Sequence, residues 1–476
     1  MATAVFEVNG QTVIVNDVDP HCTLLEWLRA SGRTGAKEGC AEGECGACAV
    51  AFVGRDAQGR TQYEAVNSCL VCLPEVHGRS LVSVEGLTRM SSALHPVQEA
   101  LVESGGSQCG YCTPGFVMSL FSDYYRPGRS GYDAESISGN LCRCTGYRPI
   151  VDAAKLLGPP AAGDPWLERL GSGAPVLPAM DYAVGGRRFL RPESLPALLE
   201  ILAQHPDAVL LGGGTDLMVY VNQRQTRYAT LVSLGAVSEL ERIEFLDDEV
   251  VIGAGLPLSR LERHLELDER GRELRLLNDL LPLFSSRLIR NRATLGGNLA
   301  TASPIGDAAP ALLALGAELT LASARGQRRS PLRDFFVDYR KTALLTGELI
   351  VSVHIPRPLP RVQRFYKVSK RRLDDISTVA GAFALDLRSD GKVERLRVAY
   401  GGVARAPERA EPVELAAIGK PWSSETLATL LQALASVGTP LSDHRGSAGY
   451  RRAMMSKLLE RFYWETAVVA AAEVAE

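Results

Sequence analysis

Two short apolar stretches, residues 5–8 and 12–15, flank Asn9-Gly10. That dipeptide between strand-like runs predicts a two-residue hairpin. Thr23 and Glu26 have capping-box spacing ahead of Leu24, Leu25, Trp27 and Leu28, so a helix is predicted there. Leu81-Val82-Ser83-Val84 reads as a returning strand, and this small hairpin–helix–strand domain ends near Gly86. From His95 to about Leu157 the pattern is helical. Pro96 suits a first helical position before Val97, Ala100 and Leu101. Thr113-Pro114 caps a helix carrying Phe116, Val117, Leu120 and Phe121. Residues 157–180 break the pattern. Five of these 24 residues are proline and four are glycine, which predicts an extended linker. Beyond it strands and helices alternate, as in α/β or α+β folds. Strand alternation from Tyr366 leads into a Ser389-Asp390-Gly391 turn, and Val393, Leu396, Val398 and Tyr400 continue on the other side. Helices are predicted over residues 425–434 and from Tyr450 to the end. No internal repeat or low-complexity tract is visible.

At roughly 150 residues per domain, the 476-residue chain holds about three domains. Hydrophobic content of 46% and charged content of 22% are ordinary for globular domains. A net charge of −3 gives no sign of nucleic acid or an acidic membrane as partner. Met1-Ala2-Thr3-Ala4-Val5-Phe6-Glu7 lacks the basic region and apolar core of a signal peptide, and no apolar run nears the ~18 residues that span a bilayer. The expected location is cytoplasmic. Paired disulfides compete as a reading of the ten cysteines, but thiols stay reduced in that compartment.

Eight of those cysteines form two groups of four. The first is Cys40, Cys45 and Cys48, spaced x4 and x2, closed by Cys69 or Cys72. This is the plant-type ferredoxin spacing. Gly39, Gly43 and Gly46 supply the left-handed conformations and close approach that a loop needs to aim N–H groups at negative sulfurs. Zinc sites usually pair CxxC with CxxC or with histidines, and this group does neither. The second group is Cys109-x2-Cys112 with Cys142-x-Cys144, each pair just before a predicted helix start. Helix N-termini favour thiolate and sulfide, so two facing ends could hold a [2Fe–2S] unit. Two such clusters mean that electrons pass one at a time. The two spare cysteines read as buried small hydrophobes.

Gly39-Cys40-Ala41-Glu42-Gly43-Glu44-Cys45-Gly46-Ala47-Cys48, Gln108-Cys109-Gly110-Tyr111-Cys112-Thr113-Pro114-Gly115 and Asn140-Leu141-Cys142-Arg143-Cys144-Thr145-Gly146-Tyr147-Arg148-Pro149 resemble the xanthine dehydrogenase family of molybdenum hydroxylases. In that family the fourth cysteine of the first cluster sits in an Asn-x-Cys-Leu context. Asn67-Ser68-Cys69-Leu70 matches it, which favours Cys69 and leaves Cys22 and Cys72 spare. The resemblance implies an α+β multidomain fold. Its expected parts are a β-grasp ferredoxin-like [2Fe–2S] domain (1–86), an all-helical [2Fe–2S] domain (87–157), a linker (158–180), a two-part α+β FAD-binding domain (181–357) and a C-terminal α+β flavoprotein domain (358–476).

Val209-Leu210-Leu211 is a buried-strand run feeding Gly212-Gly213-Gly214-Thr215-Asp216. Such a turn suits a pyrophosphate cradle, although it lacks the GxGxxG fingerprint and a plain tight turn competes equally. A second glycine site is Thr294-Leu295-Gly296-Gly297-Asn298, ahead of Asp307. The resemblance makes both sites FAD segments. It also implies that Phe284 lies near the flavin, Ile350 lines the pocket, Lys367 pairs with the cofactor and Tyr339 lies on the nicotinamide side. Lys370-Arg371-Arg372-Leu373-Asp374-Asp375 resembles the loop that influences nicotinamide access, and otherwise reads as a solvated charged turn. Leu373 stands where mammalian members carry an acidic residue, so acceptor preference does not transfer.

Single-chain members continue into a molybdopterin domain, whereas this sequence ends at Glu476 and resembles the iron–sulfur/FAD subunit of bacterial members. The implied cofactors are two [2Fe–2S] clusters and FAD, with NAD⁺ as acceptor. The implied partner is a molybdopterin-binding large subunit, in a heterotetramer of two small and two large subunits. Gln108 and Cys144 match positions where the second cluster faces the pterin. No catalytic residue is expected in this chain. Rival readings are the equivalent subunit of an aldehyde or other N-heterocycle hydroxylase, a freestanding electron carrier, and a structural zinc protein.

Overall fold

The computed structural model describes residues 2–88 and 93–473. Residues 89–92, within the expected helical domain, and 474–476, the end of the expected last helix, lie outside the described residues. The chain divides into two units. The first comprises Met1–Glu239, Pro257–Arg260 and Ser285–Ala293; the second comprises Leu240–Leu256, Leu261–Phe284 and Thr294–Glu476.

The first unit opens with β1 (Thr3–Val8) and β2 (Gln11–Asn16), joined at Asn9 and Gly10. Both turn residues have positive φ, 53° and 80°, which matches the twist of the hairpin they close. Helix α1 (Leu24–Ala30) begins at Thr23, and both bonds of the predicted capping box are present. Such a cap contributes about 1 kcal/mol. Leu24, Leu25 and Leu28 are buried with Phe6, Val8, Val50 and Phe52. Strands β3 (Ala49–Arg55), β4 (Thr61–Asn67) and β5 (Ser80–Val82) complete a sheet of order β2-β1-β5-β3-β4. The parallel β1–β5 pair at its centre, with α1 packed on one face, is the β-grasp arrangement. The sequence pattern missed the β3–β4 hairpin, because the Ala-rich run of β3 carries no polar alternation: its first five residues are all buried.

Helices α2 (Pro96–Glu103), α3 (Thr113–Tyr124) and α4 (Arg148–Leu156) form the helical domain. His95 caps α2. The expected Thr113 cap is corrected: Cys112 occupies the cap position, and the Thr113 hydroxyl pairs with Ser107 at 2.8 Å instead. The extended-linker expectation also changes. Asp164 caps a short helix, α5 (Pro165–Leu170), which buries Trp166 against Tyr63 and Phe121. The Asp164 carboxylate also accepts from Tyr125 at 2.9 Å, and the Tyr125 hydroxyl contacts His95 at 2.9 Å. The linker is therefore docked, because an aromatic side chain and a cap outweigh its proline and glycine content.

Strands β6 (Met180–Val184), β7 (Arg187–Arg191), β8 (Val209–Leu211) and β9 (Thr230–Ser233) form a sheet of order β6-β7-β9-β8 in the same unit. Helix α6 (Leu195–Gln204) links β7 to β8, and α7 (Leu217–Arg224) links β8 to β9. The α7 crossover joins parallel neighbours, and the α6 crossover passes over the position that β9 fills between β7 and β8, where β9 pairs parallel with both. Arg191 is fully buried and donates to the carbonyls of Pro178, Glu75 and His77 at 2.7–3.1 Å. Burial lowers its pKa to about 10, so three carbonyls stand in for lost hydration.

In the second unit, strands Ile243–Phe245, Glu249–Gly253, Leu349–Pro356, Glu318–Ser323 and Gly326–Pro331 lie side by side in that order. A four-stranded antiparallel sheet follows, Val362–Val368, Val379–Leu387, Val393–Gly401 and Glu408–Arg409. Helices Glu411–Ala417, Ser424–Leu434 and Ala448–Glu473 cover it. Phe383 stacks on Phe462 with centroids 5.0 Å apart.

Candidate iron–sulfur and flavin sites

Cys40, Cys45 and Cys48 lie on the loop between α1 and β3, and Cys69 lies in the turn after β4. Their sulfurs come in two pairs. The Cys45 thiol hydrogen-bonds to Cys40, lowering the Cys40 pKa to about 5 and raising that of Cys45. The Cys69 thiol likewise bonds to Cys48, lowering one pKa and raising the other. Backbone N–H groups of Glu42, Glu44 and Cys45 point at the Cys40 sulfur, that of Ala47 at Cys45, and that of Gly43 at Cys69. This donor set suits sulfurs that share negative charge. Gly43 and Gly46 have positive φ, as expected, whereas at Gly39 the constraint is space: a Cβ would lie 2.7 Å from the Cys45 sulfur. The loop is held by Asn67, whose amide donates to the Gly43 carbonyl at 2.8 Å. Cys72 lies apart, its thiol turned to Glu75 at 3.6 Å and its pKa raised by burial. Cys22 points to the Thr23 carbonyl, and burial raises its pKa to about 12.

The second group pairs the same way. Cys144 bonds to Cys109, and Cys112 bonds to Cys142. The Cys142 sulfur also receives the Thr145 N–H at 3.5 Å and contacts its hydroxyl at 3.1 Å. Cys112 stands at the start of α3, and the other pair lies just before α4. Cys109 and Cys144 are exposed, beside exposed Tyr111, Leu141 and Tyr147. Gln108 is exposed as well. Among the described residues, no group of three or more His, Cys, Asp or Glu side chains is placed to hold a single metal ion.

The two cysteine loops touch. The Leu141 N–H, one residue from Cys142, donates to the Cys45 carbonyl at 3.0 Å. The Asn140 amide reaches the Gly46 carbonyl at 3.3 Å. A Cβ on Gly115, at the start of α3, would lie 2.1 Å from the Gly46 carbonyl oxygen.

Val209, Leu210 and Leu211 form β8, and Gly212, Gly213, Gly214, Thr215 and Asp216 turn from it into α7. Among the described residues, the N–H groups of Gly212 to Thr215 meet no protein acceptor, which leaves donors for an anion. One part of the expectation changes. A Cβ on Gly213 would lie 1.8 Å from the Arg292 carbonyl oxygen, so backbone packing already requires glycine there. Arg292 joins two further groups, donating to the Gly213 carbonyl at 3.0 Å and to Glu75 at 2.8 Å.

The other FAD candidates belong to the second unit. Thr294 caps Leu295–Ala300 by accepting the Gly297 N–H at 3.1 Å, and Gly296 donates to Ala254, so this segment spends part of its N–H groups internally. The buried Asn298 Oδ1 lacks a partner among the described residues, leaving an acceptor for a ligand donor. Lys367 is almost wholly buried and donates to Asp307 and to the Leu283 carbonyl, both at 2.9 Å; the latter is one residue from Phe284. Ser377 donates to the other Asp307 oxygen at 2.5 Å. Within the protein Lys367 pairs with Asp307, another of the expected FAD residues. Ile350 is buried on its strand. Tyr339 is 57% exposed, beside a short hairpin. The Lys370–Asp375 stretch is tied back on itself through Arg371 N–H and Asp375 at 2.8 Å.

Sequence reasoning missed the groups that join the pieces. Asn222 and Gln223 on α7, and the Arg292–Glu75 ion pair, match no motif. Only the folded structure brings Asn222 and Gln223 to the first cysteine loop, and Arg292 to Gly213 and Glu75.

Four family models match. They are a 2Fe-2S iron-sulfur cluster binding domain over residues 6–74, a [2Fe-2S] binding domain over 83–155, an FAD binding domain in molybdopterin dehydrogenase over 183–358, and a CO dehydrogenase flavoprotein C-terminal domain over 364–466. The fold and these matches define an α+β iron–sulfur flavoprotein with two [2Fe–2S] domains. Xanthine dehydrogenase 1 of Arabidopsis thaliana is 36% identical over 91% of this chain, and the xanthine dehydrogenase of Emericella nidulans is 34% identical over 96%. The chain spans only 37% and 38% of those relatives' lengths. A chain of quinoline 2-oxidoreductase from Pseudomonas putida 86 is 28% identical, with a TM-score of 0.54, covering 60% of this chain and 96% of that one. CO dehydrogenase from Oligotropha carboxidovorans gives 28% and 0.53, covering 57% and 94%. The chain thus matches the molybdenum hydroxylase family of oxidoreductases, and its domains fit an electron-transfer part of such an enzyme.

Proposed function

We propose that this chain is the electron-transfer subunit of a xanthine dehydrogenase, carrying electrons from a molybdenum site in a partner subunit through two [2Fe–2S] clusters to FAD and on to NAD⁺, as hypoxanthine and xanthine become urate. When bound, the clusters supply one-electron transfer and the flavin supplies the change between one- and two-electron chemistry. Cys40, Cys45, Cys48 and Cys69 would hold one cluster, and Cys109, Cys112, Cys142 and Cys144 the other. The candidate flavin residues are Val209 to Asp216 in the first unit and Phe284, Thr294 to Asn298, Asp307, Ile350 and Lys367 in the second. Lys367 and Asp307 neutralise each other when buried, and removing one charge from such a pair costs about 3–5 kcal/mol.

The observation that carries the reading is the Leu141 N–H···O=C Cys45 bond, which joins the two cysteine loops at 3.0 Å. Two sites whose loops are joined by direct hydrogen bonds suit a relay. A molybdopterin-binding large subunit in a two-plus-two heterotetramer and a cytoplasmic location complete the proposal; no helix among the described residues is long and apolar enough to cross a membrane. The quinoline and CO enzymes favour a second reading, the same part of a hydroxylase for another substrate.

The test is co-expression with a candidate partner. Xanthine-dependent NAD⁺ reduction should need both chains, while this chain alone, normalised to bound FAD, should pass electrons from NADH to a dye. Xanthine oxidation by the isolated chain would overturn the two-subunit reading. Absence of NADH–dye activity in the FAD-loaded chain would move the nicotinamide site elsewhere.

A further inference from the structure

Helix α7 leaves the Gly212–Asp216 turn and ends against the first cysteine loop. Near its end, the Asn222 amide nitrogen donates to two carbonyls, Ala41 and Cys69, each at 2.8 Å. The next residue, Gln223, donates through its own amide to the Cys40 carbonyl at 2.8 Å. Three carbonyls are thus gathered by two neighbouring side chains. They come from the two segments that carry the sulfurs: Cys40 and Ala41 from the loop after α1, Cys69 from the turn after β4. Ala41 is also held at a positive φ of 56°, a conformation that non-glycine residues rarely adopt.

The geometry points to Asn222 as a positioning residue that sets the reduction equilibrium of the cluster held by Cys40, Cys45, Cys48 and Cys69. This deepens the proposed function and rests on that cluster being present. The argument is electrostatic and steric. A carbonyl turned outward to an amide cannot turn its negative end toward the sulfurs, and the opposite edges of the loop's peptides carry the N–H groups that face them. The amide hydrogens add positive partial charge behind two of the loop's peptides. Both effects favour the reduced, more negative cluster, and hydrogen bonding and local charge are the levers by which proteins tune such sites. Asn222 is half-buried, so its contribution is only partly screened by water.

Substitution separates this role from simple scaffolding. Asn222→Leu removes both donors at similar volume. Asn222→Asp presents an acceptor to two carbonyls and adds negative charge. Asn222→Lys keeps donors and adds positive charge. The full chain of each variant is titrated electrochemically while electron paramagnetic resonance follows both cluster signals, with iron content as a separate readout. The expected order of the first cluster's potential, from lowest, is Asn222→Asp, Asn222→Leu, wild type, Asn222→Lys. Asp and Lys should differ by at least tenfold in the reduction equilibrium, which for one electron is 59 mV. The second cluster should not move. If the loaded fraction of every variant keeps the wild-type potential, even with reduced iron content, Asn222 is scaffold and the inference is overturned. If the wild-type chain shows only the second cluster's signal, the cluster reading itself fails, which is a different result.

Discussion

The two four-cysteine sites share their pairing of sulfurs and differ in how the protein encloses them. At the first, Cys48 and Cys69 are each 2% exposed, and N–H groups from five loop residues point inward while side-chain amides hold the outward carbonyls. At the second, Cys109 and Cys144 are exposed and Thr145 is the main side-chain contact. Burying shared negative charge is costly unless donors replace the lost water. The first site therefore needs its many internal donors, and its properties are set from within. The second leaves two sulfurs at the surface, where a docking partner could supply the rest of the environment.

The comparison breaks most completely where the loops meet. Gly115→Val would place a Cβ 2.1 Å from the Gly46 carbonyl and 3.2 Å from the Ala47 Cα, both backbone atoms that cannot swing away. The expected outcome is loss of both cluster signals and a stability loss of about 3 kcal/mol or more, read by iron content and thermal unfolding. Gly110→Ala is the control. Its φ of 80° carries strain of roughly 1–2 kcal/mol, but its Cβ meets only open space and the far Ser107 hydroxyl, so the first signal should survive.

Cys45→Ser is a smaller and cleaner cut. It should abolish the first signal and leave the second, because the bond from Leu141 goes to the Cys45 backbone carbonyl, which the substitution keeps. Two intact signals would show that Cys45 is not a cluster residue.

Legibility in the sequence follows the same division. Spacing, turn chemistry and caps are local, so Asn9-Gly10, the Thr23–Glu26 box and both cysteine groups could be read from the chain. What escaped depends on distant partners. Asn222 lies 181 residues from Ala41 and 153 from Cys69, so no window of sequence contains the clamp. The packing reason for glycine at Gly213, the close Arg292 backbone, lies 79 residues away and shows in no glycine run. Trp166 sat in a proline- and glycine-rich stretch, where composition hid a single aromatic anchor.

Chemical modification of the iron-free chain sharpens the contrast more gently. Cys109 should be alkylated fastest, since it is exposed and the Tyr111 N–H, then the Cys144 thiol, lower its pKa below the ordinary value. Its rate should fall as acidification converts thiolate to thiol, and should hold up better than a free thiol's as the pH drops below the ordinary thiol value. Cys48, Cys69 and Cys72 should react only on unfolding, read residue by residue by mass spectrometry. Equal rates at Cys109 and Cys69 would remove the distinction between open and closed sites.

The smallest effect is expected at Cys72, which is as buried as the first site yet outside it. Its thiol donates weakly to Glu75, whose carboxylate keeps its Arg292 partner at 2.8 Å when the sulfur is gone. Cys72→Ala leaves a cavity of one sulfur atom and should cost about 1 kcal/mol, with iron content and both signals unchanged. Cys22→Ala should behave alike, because that thiol points to the Thr23 carbonyl 3.5 Å away and lies outside the cysteine pairs. The decisive comparison is with Cys69→Ala, which should lose the first signal, since Cys69 pairs with Cys48 and receives the Gly43 N–H. If Cys72→Ala lost that signal and Cys69→Ala kept it, the fourth cysteine of the first site would be Cys72, and the burial that sets Cys72 apart would belong to the cluster after all.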